Sequence, residues 1–238
     1  MATERIDKFL KDQGIATRSE LKDIIRSGRV KVADRICTDP GLHIDPDKDE
    51  IFLDGSLIPY KKFVYLMMNK PKGVITATED TRVETVLDLL PEKYRRMEVF
   101  PVGRLDKDTE GLLIITNNGE LAHNLLSPKK HVMKLYEAHL DRFPGEAAVT
   151  AFREGVVINS EFKALPAVLR YIGINPPVAR VEVYEGKFHQ IKRMFKAVGA
   201  EVIALKRLKM GDLDLDESLN PGESRELAKN EMKMLGAE

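Results

Sequence analysis

Apolar positions fall into three regimes along the chain. In the first 28 residues they recur at helical spacing. Ile6, Phe9 and Leu10 mark one short helix ending at Gly14, and Leu21, Ile24 and Ile25 mark a second ending at Gly28. Thr17 with Glu20 three places on is a capping-box pattern that starts the second helix. From 29 to 58 the pattern shortens to strand-like alternation, "RVKVADRI" and "EIFLDGSLI", with Asp54-Gly55 as a hairpin turn. After Pro59 and the Lys61-Lys62 pair, continuous apolar runs take over. "FVYLMM" and "LLIIT" read as buried strands, "NNG" between them and the next segment as a hairpin-type turn, and "ELAHNLL" as the start of a helix. The pattern predicts two parts, a small module over 1–60 and a larger α+β domain over 61–238.

Composition narrows the class. With 43% hydrophobic and 32% charged residues the chain suits a water-soluble globular fold. No apolar stretch approaches the roughly 20 residues that span a bilayer, and the charged start "MATERIDKFL" lacks the apolar segment of a secretory signal. The single cysteine, Cys37, excludes an intrachain disulfide and a cysteine-cluster metal site, and fits a reducing cytoplasm. The five histidines show no metal-ligand spacing, and no glycine-rich phosphate loop is present, so neither metal nor cofactor is expected.

Net charge is zero, but its distribution is uneven. Seven Lys or Arg face one acid between Lys187 and Lys209. Arg18, Lys22, Arg26, Arg29 and Lys31 follow the second helix and the strand after it. A neutral protein can carry a basic face of the kind a phosphate backbone meets.

One segment carries candidate chemistry. "GRLDKDTEG", bracketed by Gly103 and Gly111, is a polar loop feeding the apolar run "LLIIT". A carboxylate on such a loop, Asp106, is well anchored, although aspartates in loops also cap turns. "DKDT" matches the D-x-D-x-T pattern of dehalogenase-type phosphatases, in which the apolar strand precedes the first Asp. Here Pro101, Gly103 and Arg104 interrupt the approach and the strand follows, so that reading is set aside.

The longer string "GRLDKDTEGLLIITNNG", with "NKPKGVI" before it and "EGKFHQIKRMFKAVGAEVIALKRLKMG" after it, resembles the pseudouridine synthases of the RsuA/Rlu family. "NGELAHNLLSPKKHVMKLYEAHL" and "PAVL" are most similar to the RsuA branch, which acts on small-subunit (16S) ribosomal RNA. Residues 3–60 resemble the S-four-like RNA-binding domain, two short helices and a small sheet.

The resemblance implies a mixed, mainly antiparallel sheet with a central cleft and Asp106-dependent isomerisation of a uridine, with no cofactor. It implies Tyr136 against a flipped base, Lys192 as the cation beside Asp106 with Arg193 as an alternative, and Arg104 helping to displace the base. Arg18, Lys22, Arg26, Arg29, Lys70, Lys72, Lys129, Lys130 and Lys134 are expected at RNA phosphates, and His189 as a structural hydrogen-bonder. The expected partner is ribosomal RNA or a small-subunit assembly intermediate, met by a cytoplasmic monomer. A large-subunit synthase and a non-enzymatic assembly factor are the alternatives.

Overall fold

The computed structural model describes residues 3–159 and 162–237 and divides into two compact units. The first comprises Met1–Val64 with Leu90–Phe100, the second Tyr65–Leu89 with Pro101–Glu238.

In the first unit the two helices are Ile6–Asp12 and Arg18–Arg26. The capping box forms as expected: Thr17 Oγ1 accepts from the Glu20 backbone N–H, and the Glu20 carboxylate accepts from that of Thr17. The helices pack with a four-stranded sheet in the order Arg35–Cys37, Val30–Val32, Ile51–Leu53, Ser56–Leu57. Ile6, Phe9, Leu10, Leu21, Ile25, Val30 and Ile51 form its core. The Asp54-Gly55 turn closes the last hairpin, both residues at positive φ.

Leu90–Phe100, which the sequence pattern assigns to the larger domain, packs instead in this first unit. Its short helix Glu92–Arg96 lies so close to Gly14 that a Cβ there would fall 2.4 Å from the Lys93 carbonyl oxygen. Arg96 donates to the Ile15 carbonyl at 2.9 Å, and Lys11 pairs with Glu98 at 2.6 Å.

The second unit is built on one mixed sheet. Its main path runs Val168–Ile174, Pro177–Val183, Lys134–Leu140, Val202–Met210, Thr109–Thr116, Tyr65–Lys70, Ser224–Glu226. All these pairings are antiparallel except that of Val202–Met210 with Thr109–Thr116. Tyr65–Lys70 is buried at every position, as its unbroken apolar run predicts for a central strand. Gly111 sits where the parallel pair closes up. A Cβ there would lie 2.3 Å from the Arg207 carbonyl oxygen, and its φ is +101°, so only glycine fits.

"NNG" is not a hairpin turn. Asn118 is the N-cap of the helix Gly119–Leu126, its side chain accepting from the Leu121 N–H at 3.1 Å. An Asn ahead of an apolar-periodic segment serves a cap as readily as a turn. Among the described residues no helix is long and apolar enough to cross a membrane.

Candidate active site

Asp106 stands just before the strand Thr109–Thr116, and the Asp106 carbonyl accepts the Thr109 N–H at 3.0 Å. Neighbouring segments hold this loop from both sides. Thr76 Oγ1 donates to the Leu105 carbonyl at 2.8 Å and lies 3.1 Å from the Leu105 N–H. The Gly73 N–H donates to the Lys107 carbonyl at 2.8 Å. Leu105 is buried, so Arg104 and Asp106 on either side of it face the cleft.

Lys70 completes the brace, which corrects its expected place at RNA phosphates. It is fully buried, and its ammonium donates to the carbonyls of Pro71 and Thr109 at 3.0 Å each, with Lys107 at 3.5 Å. Burial pushes its pKa down to about 8, partly offset by Asp108, Glu110 and Asp106 nearby. Lys134 is corrected for the same reason. It is buried, donates to the Val132 carbonyl at 2.9 Å, and burial lowers its pKa, with Arg207 adding to the effect. An ammonium enclosed by protein carbonyls is not available to a phosphate. Lys72, Lys129 and Lys130 are exposed.

The opposite wall comes from residues 185–192. Glu185 accepts from the Gln190 side chain at 2.7 Å and from the Leu165 N–H at 2.8 Å, while the Gln190 side-chain oxygen Oε1 accepts from the Lys187 N–H at 3.0 Å. This brace sets the start of the helix Gln190–Ala197. Lys192, in its first turn, reaches both carboxylates, 3.5 Å from Asp106 Oδ2 and 2.5 Å from Asp108 Oδ1. The expected Lys192–Asp106 pair is present, but Asp108 is the nearer partner. The Lys192 hydrogen bond holds the Asp108 carboxyl below the usual carboxylate range. His189 Nε2 lies 3.5 Å from Asp106 Oδ1, long for a hydrogen bond. Arg193 turns away, its guanidinium 5.6 Å from the centre of the Phe162 ring.

The floor is the sheet. Tyr136, 9% exposed, pairs in register with Val181 on one side and Arg207 on the other, and lines an open cleft of about 430 Å³ with Arg104, Asp106, Val183, His189 and Leu205. One cleft therefore gathers an aspartate, an arginine and a tyrosine face, and Lys192 reaches that aspartate. Among the described residues no group of three or more His, Cys, Asp or Glu could hold a metal ion.

In the first unit Arg18, Lys22 and Arg26 are exposed along one helix face, and Lys31 is exposed on the strand that follows. Arg29 is exposed too, but its guanidinium forms a two-pronged pair with Asp54 at 2.9 and 2.6 Å.

Comparison with known proteins decides the family. Residues 64–197 match the RNA pseudouridylate synthase model, and residues 4–51 match the S4 domain. The chain belongs to the RNA pseudouridylate synthase family. This synthase is 46% identical to the uncharacterized RNA pseudouridine synthase YtzG of Bacillus subtilis, covering 97% of this chain and 98% of that one. It is 34% identical to ribosomal large subunit pseudouridine synthase B of the same organism (98% and 96% covered). It is 36% identical to ribosomal small subunit pseudouridine synthase A of Yersinia pestis (98% of each). A crystal structure of a pseudouridylate synthase superposes with a TM-score of 0.69 at 33% identity, covering 98% of this chain and 99% of that one. The α+β architecture, an S4 module of short helices and a small sheet followed by a mixed-sheet domain, is that of the family.

Thr76, Glu185 and Gln190, which hold the two walls, are not individually marked by the sequence. Glu185 and Gln190 lie within the closing motif, which the family resemblance singled out only as a string.

Proposed function

We propose that this synthase isomerises a specific uridine in small-subunit ribosomal RNA, with Asp106 as the catalytic carboxylate. The observation that carries this is Asp106 in the same cleft as Arg104 and Tyr136, braced by Thr76 and Lys70 and faced by Lys192.

In the reaction the bond from ribose C1′ to uracil N1 breaks, the base turns, and a C1′–C5 bond forms. C5 gives up its proton and N1 ends with one, so composition is unchanged. Three routes use an ionised carboxylate at this position: attack on C1′, addition to the ring, or removal of a ribose proton. Lys192 Nζ and His189 Nε2 each stand 3.5 Å from one oxygen of the Asp106 carboxylate, on the wall that faces it. Enzymes that act on a base take it out of the stack and hold it by stacking and edge contacts. Tyr136 offers the face, and exposed Arg104 is placed to occupy the space the base leaves. The exposed cations of the first unit dock the RNA by its backbone.

The small-subunit assignment rests on the RsuA-like strings "NGELAHNLLSPKKHVMKLYEAHL" and "PAVL". Pseudouridine mapping of ribosomal RNA from cells with and without the gene tests it. One small-subunit site is expected to disappear with the gene; loss of a large-subunit site instead would overturn the assignment.

A further inference from the structure

The cleft has a second side. Arg104, Leu105 and Asp106 on one wall and Gly186, Lys187 and His189 on the other border two adjoining spaces. One runs down to Tyr136. The other, about 940 Å³, opens past Asp106 toward Ile75, Thr76, Lys107 and Phe188.

Phe188 is 75% exposed, the highest value among the large hydrophobic side chains of the described residues. Its ring is nevertheless held. It stacks on the His189 imidazole, centroids 3.8 Å apart and planes 18° apart. His189 has φ +50°, a left-handed conformation uncommon outside glycine. Backbone in that region is retained where the surrounding structure over-determines it, often at binding sites. Here the turn brings His189 to Asp106 and leaves Phe188 at the rim. Arg104, Lys107 and Lys187 line the same space. A fixed aromatic face among cations, opening off a site for one nucleotide, has the chemistry that binds unpaired bases.

We propose that Phe188 is a stacking platform for a base flanking the target uridine in single-stranded RNA. The inference rests on the reading that Tyr136 and Asp106 hold the flipped uridine. When that base leaves the stack, its neighbour loses a partner; the Phe188 ring supplies a replacement and keeps the strand open. Every base has a π-face, so the platform tolerates sequence and contributes hold more than base choice.

The chain has no tryptophan, so Phe188→Trp introduces a single indole. Titrating that variant with a twelve-residue oligouridine is expected to quench its emission saturably. Single-turnover tritium release, from uracil-C5-labelled ribosomal RNA of cells lacking the gene, supplies the second measurement. Phe188→Ala and Phe188→Leu are expected to raise the half-saturating RNA concentration about 5- to 150-fold, the equivalent of about 1–3 kcal/mol of stacking. Phe188→Tyr should stay near wild type. A Leu variant as good as wild type, an Ala variant with unchanged concentration dependence, or an absent quench would each overturn the platform. So would RNA-free self-association that Phe188→Ala abolishes, since the ring would then be a protein contact. If the wild type releases no tritium, the synthase reading fails, and the oligouridine quench still decides for Phe188.

Discussion

Arg18, Lys22 and Arg26 stand exposed along one helix, placed by local sequence alone. Lys192 and Asp108 meet across 84 residues of chain, with Asp106 and His189 beside them. The helix places its cations by helical repeat, and their long stems leave the heads adjustable. The cleft fixes its charges by hydrogen bonds to walls that are themselves braced. The first arrangement suits a phosphate backbone, whose charge is regular and whose sequence is not read. The second suits a reaction in which a carboxylate must meet one atom of its substrate, where small misplacement is costly. Substitutions in the two places should therefore fail differently, in salt dependence for the helix and in turnover for the cleft.

The largest effect is expected from Asp106→Asn. The amide keeps the shape and loses the charge, so turnover should fall on the order of 10⁴-fold, while RNA affinity stays within a few-fold. Tritium release from C5-labelled RNA and filter binding measure the two. Near-normal turnover would remove Asp106 from the chemistry.

Tyr136 comes next. Tyr136→Ala removes the face proposed to stack the base and should weaken productive binding about 5- to 150-fold, from about 1–3 kcal/mol per base. Tyr136→Phe keeps that face and should bind RNA near normally. If the hydroxyl also moves a proton, Phe will bind and fail to complete the reaction. Single-turnover rates on one RNA fragment, with circular dichroism to check the fold, separate these outcomes. Wild-type turnover in a folded Ala variant would leave Tyr136 a strand residue only.

On the helix side, Arg18→Ala, Lys22→Ala and Arg26→Ala together should leave turnover at saturating RNA close to wild type. They should lower the slope of log affinity against log salt by about 2–3, given about 0.7–0.9 per phosphate contact. Charge substitution is a cleaner probe here than deleting residues 1–58. Deletion would strip Leu90–Phe100 of the Lys11, Gly14 and Ile15 contacts that hold it in the first unit. An unchanged salt slope would take RNA docking away from this helix.

Local features were legible in the sequence because short-range rules decide them. The Thr17 capping box, the Asp54-Gly55 turn and the buried run around Leu66 needed only periodicity and turn chemistry. The assembly of Asp106, Tyr136 and Lys192 was legible through ordered motifs, not through spacing, because contacts between segments so far apart leave no local pattern. Lys70 shows what is lost. In "NKPKG" it looks like any surface cation, and only the neighbouring strand reveals carbonyls placed to receive it. Phe188, and the approach of His189 to Asp106, hid in the same way. The left-handed turn at His189 that stacks the two rings at the cleft rim is a tertiary outcome. Asn118 was misassigned because a cap and a turn want the same residue.

Lys70→Met gives the smallest expected change in RNA binding and sharpens the contrast most. If Lys70 met phosphate, the variant would lose salt dependence as the helix substitutions do; as a buried brace, it should leave the salt slope unaltered. Its effect belongs in stability against pH. Burial lowers the folded-state pKa of Lys70 to about 8, from 10.5 for an unperturbed lysine. Between those values the unfolded chain holds a proton that the folded chain has released, so raising the pH favours folding. The wild type should therefore gain stability relative to Lys70→Met as pH rises from about 8 to about 10.5, by up to about 3 kcal/mol. Urea midpoints for both proteins at several pH values, read as a difference so that other titrating groups cancel, measure it. A flat difference, together with a reduced salt slope in Lys70→Met, would return this lysine to the RNA-binding surface.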